Sequence, residues 1–284
     1  MSLFTDKVSI VTGAASGIGK ALCEALANSG ARVIATDVNL EMLQRTADAV
    51  SRKGGKILAA QLDVTNYNAF EQVVNDTVAQ EGRLDYIFNN AGIAIVGEVR
   101  DVTVDHWRKV LDVNLNGVVY GSILAYRQMV KQGSGHIVNL ASIEGLIPFA
   151  NTISYVASKF AVVGLSKGLW VEGADLGVKV SAVCPGFIKT PIFDVSPMIN
   201  VDRKEALKIM STWERLGITP EECARRILKG VARNKSIIPV TGLAWVMYWL
   251  SRISPSLVMH LAKIDCRKAR KRARVDQLHQ EYQQ

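Results

Sequence analysis

The sequence predicts an α/β fold: a doubly wound, central parallel sheet, followed by a C-terminal helical extension. Two observations carry this. Over the first two hundred residues, short β-branched apolar runs alternate with helical runs of amphipathic spacing, the pattern of a parallel sheet covered on both faces. No linker rich in Pro, Gly or Ser and no internal repeat divides that region, so right-handed crossovers place its strands in one sheet. We expect a single domain over residues 1–240 and the extension over 241–284.

The elements follow in order. "KVSIVTG" is the first strand, and "GKALCEALANSG" is a helix closed by Gly30, the residue type that most readily ends a helix. "ARVIATD" and "LEMLQRTADAVSRKGG" form the second strand and helix, "KILAAQLDV" and "AFEQVVNDTVAQEG" the third pair, and "LDYIFNNAG" the fourth strand. A long helix is expected around 103–131, then the strand "GHIVNLAS", a helix over about 154–176 and the strand "VKVSAVCPG". Residues 189–213 mix two prolines with apolar side chains, as suits a mobile lid over a pocket. "TPEECARRILKGVARN" opens with Thr219 as N-cap, Pro220 in the first turn and Glu222 completing a capping box. "SIIPV" reads as the last strand, its Pro239 favouring a sheet edge.

Composition sets the frame. The chain has 284 residues, 49% of them hydrophobic and 21% charged, an ordinary globular balance with ample material for a core. Cys23, Cys184, Cys223 and Cys266 are far apart, and the four histidines are scattered without an H-E-x-x-H. These spacings predict idle thiols in a reducing compartment and no metal site. The N-terminus enters a strand directly, without the basic and apolar regions of a signal peptide, so a cytoplasmic location is expected. The formal charge is +8, and about half of it lies in residues 263–284, where Lys263, Arg267, Lys268, Arg270, Lys271, Arg272 and Arg274 outweigh Asp265, Asp276 and Glu281.

The loop "TGAASGIGKAL" sets Gly13, Gly17 and Gly19 between the first strand and the first helix. Glycines let a backbone turn sharply and approach a pyrophosphate, and the following helix offers free N–H groups and the positive end of its dipole. The spacing is G-x-x-x-G-x-G rather than G-x-G-x-x-G, but the strand–turn–helix context is met. Asp37 ends the second strand about 20 residues further on, where an acid accepts hydrogen bonds from adenosine ribose hydroxyls and repels a 2′-phosphate. It favours NAD over NADP, with Arg32 a slight counterweight and capping of the next helix the structural alternative. Asp63 follows the third strand, where it either receives the adenine amino group or caps its own loop.

Taken together, "TGAASGIG", "NNAG" at 89–92, Asn114 in "DVNLNG", Ser142 in "GHIVNLAS", "YVASK" and "PGFIKT" at 185–190 resemble the short-chain dehydrogenase/reductase family, in order, over roughly residues 5–240. The resemblance implies a Rossmann fold, a nicotinamide cofactor and a catalytic tetrad of Asn114, Ser142, Tyr155 and Lys159. It implies a cofactor set of Gly13, Ser16, Gly17, Ile18 and Gly19 in the loop, and Asp37, Asp63 and Val64 on the adenosine side. Asn90, Ala91 and Gly92 join that set, with Asn89 also near the cofactor. Pro185, Gly186, Ile188 and Thr190 flank the nicotinamide, and Lys159 also binds its ribose. Asn114 is implied to help hold a water linking Lys159 to solvent.

Tyr155 and Lys159 are four apart and share a helix face. A phenol with an ordinary pKa near 10 is a poor base at neutral pH. A neighbouring ammonium, like the positive ring of an oxidised nicotinamide, is expected to favour the phenolate and bring Tyr155 into range as acid and base. Ser142 is expected to hold the substrate oxygen and stabilise its developing charge. The function expected is hydride transfer between the cofactor and a hydrophobic secondary alcohol or ketone. The alternatives are an epimerase or dehydratase on the same fold, and a non-catalytic NAD-dependent protein recruited to membranes. Expected pocket walls are Ile143, Glu144, Leu146, Pro148, Phe149, Phe187, Ile192, Phe193 and Met198, mostly apolar.

In the extension, "LAWVMYWL" and "SLVMHLAKI" are split by Ser251, Arg252 and Pro255, and neither reaches the ~20 apolar residues of a membrane span. Two short amphipathic helices are expected. The favoured reading has them close the pocket or pack on a partner subunit, with the basic run a solvated end. The other has Trp245, Tyr248, Trp249 and the basic cluster meet a lipid surface. No nucleic-acid-binding motif accompanies the basic run, and a homodimer or homotetramer through the long helices is expected by resemblance.

Overall fold

A computed structural model describes residues 2–214 and 217–275; Asp276 and Glu281 of the basic tail lie outside the described residues. The seven strands are β1 (Val8–Thr12), β2 (Arg32–Asp37), β3 (Lys56–Gln61), β4 (Tyr86–Asn89), β5 (Gly135–Leu140), β6 (Val178–Cys184) and β7 (Ile237–Pro239). They form one sheet in the order β3-β2-β1-β4-β5-β6-β7, and every pairing is parallel. All residues of β1 and β4 are buried, Ser9, Thr12 and Asn89 included, because the sheet is covered on both faces. Alternation along β4 sends Ile87 into one core layer with Phe70 and Met129 and Phe88 into the other with Leu22 and Leu26. Burial of each such side chain contributes roughly 1.5–3 kcal/mol. The winding reverses between β1 and β4, which opens a crevice at the carboxyl ends of the strands.

The helices are α1 (Gly17–Asn28), α2 (Leu40–Ser51), α3 (Tyr67–Glu81), α4 (Val104–Leu111), α5 (Gly117–Gln132), α6 (Ile153–Glu172), α7 (Ile192–Val195), α8 (Arg203–Glu214), α9 (Pro220–Ala232), α10 (Gly242–Ile253) and α11 (Pro255–Ala273). α1 gives way to Gly30 at φ +85°, as its sequence demands. The expected single helix over 103–131 is interrupted by a π turn at Asp112–Asn116 between α4 and α5. The helix expected over 154–176 ends as α6 at Glu172 and is followed by a 3-10 turn, Ala174–Leu176.

Two local expectations are corrected. Thr219 accepts the Glu222 N–H, but the Glu222 carboxylate turns to Arg225 and Arg226 at 2.6 Å each instead of closing a capping box. A reciprocal box forms elsewhere, between Thr103 and His106. In the extension, the second helix does not stop at the apolar segment; α11 runs on through the basic residues to Ala273. The inner faces of α10 and α11 pack Ala244 and Val258 against Ile143 and Ile147. The basic run is not wholly a solvated end, because Arg270 and Arg274 pair with Glu98 and Asp101.

Candidate active site

A cavity of about 1070 Å³ lies at the carboxyl ends of the strands and is lined by the glycine loop, the segments after β4 and β5, and residues 185–197. The loop is shaped by steric necessity. Gly13 and Gly17 have φ of +64° and +53°. A Cβ on Gly19 would stand 2.0 Å from the Gly13 carbonyl oxygen, and one on Gly13 would stand 2.8 Å from Ala91 Cα. Ser16, the N-cap of α1, makes no side-chain capping bond, so the first-turn N–H groups have no side-chain acceptor there. A close backbone approach beside a helix N-terminus fits a pyrophosphate. Gly13, Ser16, Gly17 and Ile18 line the cavity, whereas Gly19 stands behind them.

The crevice is tied together by side chains at the strand ends. Asp37 lines the cavity, and its carboxylate accepts the Ala15 N–H at 3.0 Å and the Asn39 N–H at 2.9 Å. It thereby fixes the glycine loop to the end of β2. Arg32, at the opposite end of that strand, is paired with Glu81 and stands away from Asp37. Asp63 and Val64 also line the cavity, and one Asp63 oxygen accepts from the Thr65 N–H and hydroxyl. Asn90 donates to the Thr12 and Gly13 carbonyls at 2.9 and 3.1 Å; with Ala91 and Gly92 it forms the next stretch of wall. Asn89 does not. It is buried and donates at 2.8 Å to Asn139, which reaches Ser166 of α6. Adjacent residues of a strand face opposite sides, so Asn89 braces helices while Asn90 serves the crevice.

Ser142, Tyr155 and Lys159 meet at the far end of the cavity. Tyr155 and Lys159 are one turn apart on α6, with Lys159 Nζ 5.4 Å from the Tyr155 ring centre. Lys159 is buried and donates at 2.7 Å to the Leu140 carbonyl. Ser142 caps the 3-10 turn Ile143–Gly145, accepting the Glu144 N–H at 3.1 Å, with its hydroxyl near enough to Tyr155 to act on the phenol. Asn114 lies in the π turn, fully buried behind the wall. Its amide accepts the Ile93 N–H at 2.8 Å and donates to the Ile93 carbonyl at 2.9 Å and to Ser158 at 3.3 Å. A Cβ on Gly92 would touch both Asn114 Oδ1 and Lys159 Nζ, at 3.4 and 3.6 Å, so the segment after β4 packs directly on these two residues.

The electrostatics of this end are set by burial. Burial pushes the Tyr155 phenol above its ordinary value; Glu144 adds to the rise and the Ser142 hydrogen bond opposes it. Burial thus works against the lowering expected from the Lys159 ammonium and the positive ring of an oxidised nicotinamide. Lys159 is desolvated as well: burial brings it down to about 8, against the upward pull of Cys184 and Glu144. Glu144 is buried and accepts the Thr152 hydroxyl at 2.6 Å. Burial raises its carboxyl to about 7, with Thr152 and Lys159 pulling the other way.

Of the expected pocket walls, Ile143, Glu144, Phe187, Ile192 and Phe193 line the cavity. Leu146, Pro148, Phe149 and Met198 do not. Leu146 and Phe149 pack towards Ala244 and Val258, because the extension offers them an apolar face, and Met198 bridges to Val96. Pro185, Gly186, Ile188 and Thr190 line the cavity as expected, and Thr190 stands over Gly17, 3.2 Å from where a Cβ would lie. Sequence reasoning missed Ile93, Ala94 and Ile95, which continue the wall directly after "NNAG". It also missed Lys109, Asp112 and Val113, one face of α4 and the π turn, and Met210 of α8. The first two groups carried a signal in adjacency and in i, i+3, i+4 spacing; Met210 carried none. Among the described residues no group of three or more His, Cys, Asp or Glu gathers to hold a metal ion.

Comparison with known proteins bears on this arrangement. The family model described as short chain dehydrogenase matches residues 7–197. A cyclohexanol dehydrogenase of Acinetobacter sp. (strain SE19) is 38% identical over 247 residues, 86% of this chain and 94% of that protein. A short-chain dehydrogenase/reductase from Burkholderia phymatum in complex with NAD superposes with a TM-score of 0.81 at 28% identity, covering 90% of this chain and 96% of that one. A putative NAD(P)-dependent gluconate 5-dehydrogenase from Beutenbergia cavernae, with NADP bound at low occupancy, superposes at 0.76 with 29% identity, covering 86% and 98%. The chain spans nearly the full length of these proteins, its fold around the parallel sheet matches that of the two solved structures, and it belongs to the short-chain dehydrogenase/reductase family of nicotinamide-dependent oxidoreductases.

Proposed function

We propose that the protein interconverts a hydrophobic secondary alcohol and its ketone, using NAD and Tyr155 as the acid/base. The observation that carries this is the convergence of Tyr155, Ser142 and Lys159 at one end of a cavity whose other end is the glycine loop. A nicotinamide, when bound, supplies the acceptor for the hydride that leaves the carbinol carbon. The residues handle the rest. Ser142 donates to the substrate oxygen and holds it at Tyr155 Oη. In this direction Tyr155 acts as the phenolate, the form that positive charge on Lys159 and on an oxidised nicotinamide would favour against the effect of burial. It takes the hydroxyl proton as the C=O bond forms, so the alcohol loses one hydride and one proton and becomes the ketone.

Lys159, held by the Leu140 carbonyl, supplies positive charge beside Tyr155 and binds the nicotinamide ribose. Asn114 is a positioning residue: its amide holds Ile93, in the segment after β4, against the π turn, and by family analogy the turn orders a water leading from Lys159 to solvent. π turns of this kind recur at functional sites. Ile143, Phe187, Ile192 and Phe193 favour an apolar substrate, and the relative named for cyclohexanol points to cyclic secondary alcohols. Asp37 favours NAD. Cofactor binding and catalysis are assigned to residues 1–240 as one unit, and α5 and α6, where Phe160 and Trp170 are exposed, to a homo-oligomer interface.

The test is NADH formation by the purified full-length protein with cyclohexanol and larger cyclic secondary alcohols. Turnover is expected, with a loss of about a hundredfold or more in Tyr155→Phe and unchanged NADH binding. Equal turnover in that variant would overturn the assignment of the proton step. Interconversion of stereoisomers with no net NADH would move the protein to the epimerase reading.

A further inference from the structure

We propose that α10 and the outward face of α11 form a platform that docks this protein on an anionic lipid surface, a property independent of which alcohol it oxidises. The first observation is that α10 is apolar on both sides. Its inner residues Leu243, Ala244, Met247 and Leu250 pack on the segment that follows Ser142. Its outer residues are no more polar: Trp245, Trp249 and Ile253, four apart and so on one stripe, are 57, 47 and 79% exposed. A helix on a protein surface ordinarily turns polar residues to water. α10 contains no acid, and its single charge, Arg252, lies over the Tyr248 ring.

The stripe continues across the turn at Ser254. Leu257, Leu261 and Ile264 are exposed at i, i+4 and i+7 spacing on α11, and the same face goes on to Lys268 and Lys271. Lys263, Arg267 and Arg272 flank it, all exposed. None of these five cations forms a salt bridge among the described residues, whereas Arg270 and Arg274 on the opposite flank are committed to Glu98 and Asp101. Those pairs, with the Asp202 N–H on the Ala273 carbonyl at 2.7 Å, hold α11 in place.

Tryptophans at the rim of an apolar stripe, with lysines and arginines beyond it, match the layers of a bilayer interface: acyl boundary, headgroups and anionic charge. No helix among the described residues is long and apolar enough to cross a membrane, so the platform lies on the surface. A second copy is the poorer occupant. A two-fold interface sets a patch against itself, which would bring five cations towards five, with Asp265 the only acid on α11 to offset them.

The test is flotation of the full-length protein with vesicles of phosphatidylcholine alone and of phosphatidylcholine with phosphatidylserine. The protein is expected to float with the serine-containing vesicles, less so at high salt, and to stay behind with phosphatidylcholine alone. Lys268→Glu with Lys271→Glu is expected to weaken binding about tenfold or more. Trp249→Ser with Ile253→Ser is expected to weaken it to a similar degree, with NADH binding and the thermal transition reporting that both variants fold. Failure of the unaltered protein to float with anionic vesicles would overturn the proposal, most directly if Trp249→Ser with Ile253→Ser also reduced the assembly size on gel filtration. Flotation that survived loss of Trp249 and Ile253 would overturn the apolar platform as well, leaving a charge effect only.

Discussion

Thr152 donates a 2.6 Å hydrogen bond to Glu144 at the cavity wall, and this buried acid is a neighbour of both Tyr155 and Lys159. Burial raises Glu144 from its ordinary 4.5 to about 7. Between those values the folded protein keeps a proton that the unfolded chain has released. Its contribution to stability is therefore greatest below about 4.5 and falls as pH rises towards 7. Glu144→Gln keeps an acceptor for Thr152 but cannot ionise. Thermal unfolding of the variant is expected to match the parent near pH 4.5 and to gain on it above pH 7, by on the order of 3 kcal/mol at most. The same change removes the charge that holds Tyr155 and Lys159 up, so the alkaline rise of kcat/KM for alcohol oxidation is expected at lower pH. Profiles that superpose would show that Glu144 has no influence on the proton step.

The sequence was most legible where a motif is local. The glycine loop needs only the clash that a Cβ would meet between Gly19 and Gly13, and it sits where its strand and helix put it. The same holds for Ser142, Tyr155 and Lys159, whose positions follow from one strand end and one helix face. What escaped was decided by distant segments. Leu146 and Phe149 read equally well as pocket or core until Ala244 and Val258 covered them. The π turn at Asp112–Asn116 has the composition of ordinary helix and is revealed only by Asn114 bonding to Ile93. The extent of α11 depends on Val201 and Asp101, more than fifty residues away, receiving its end.

Asp37 gives the second prediction. Its two oxygens are held by the Ala15 and Asn39 N–H groups, so a negative charge is fixed at the rim of the cavity where the adenosine ribose is proposed to lie. Fluorescence titration is expected to show tighter binding of NADH than NADPH. Asp37→Asn keeps one acceptor for the loop and removes the charge, and is expected to narrow that preference by about tenfold. A native preference for NADPH would contradict the assignment of Asp37, and loss of binding to both cofactors in the variant would reassign it to holding the loop.

The last prediction concerns the end of the extension. Arg274 reaches Asp101 at 2.9 Å and Glu98 at 3.5 Å, and Arg270 reaches Glu98 at 2.7 Å. Asn200, in the segment before α8, donates to Asp101 at 3.0 Å, so one cluster joins α11, the chain after β4 and the segment between α7 and α8. The Arg270 hydrogen bond holds Glu98 below its ordinary range. Burial works to raise Asp101, but the hydrogen bonds from Asn200 and Arg274 outweigh it. Both acids are thus depressed, and the stability they confer is present above the ordinary carboxylate range and lost as pH falls through the depressed values. Arg274→Ala leaves two shielded carboxylates short of a partner and is expected to cost ~2–3 kcal/mol, seen as a melting temperature lower by about 5 °C or more. The loss is expected to shrink in acid, where the carboxylates gain protons. Limited proteolysis is expected to quicken between α7 and α8, because the same cluster restrains that stretch. An unchanged melting temperature together with unchanged cleavage would show that the extension rests on the body by its apolar face alone.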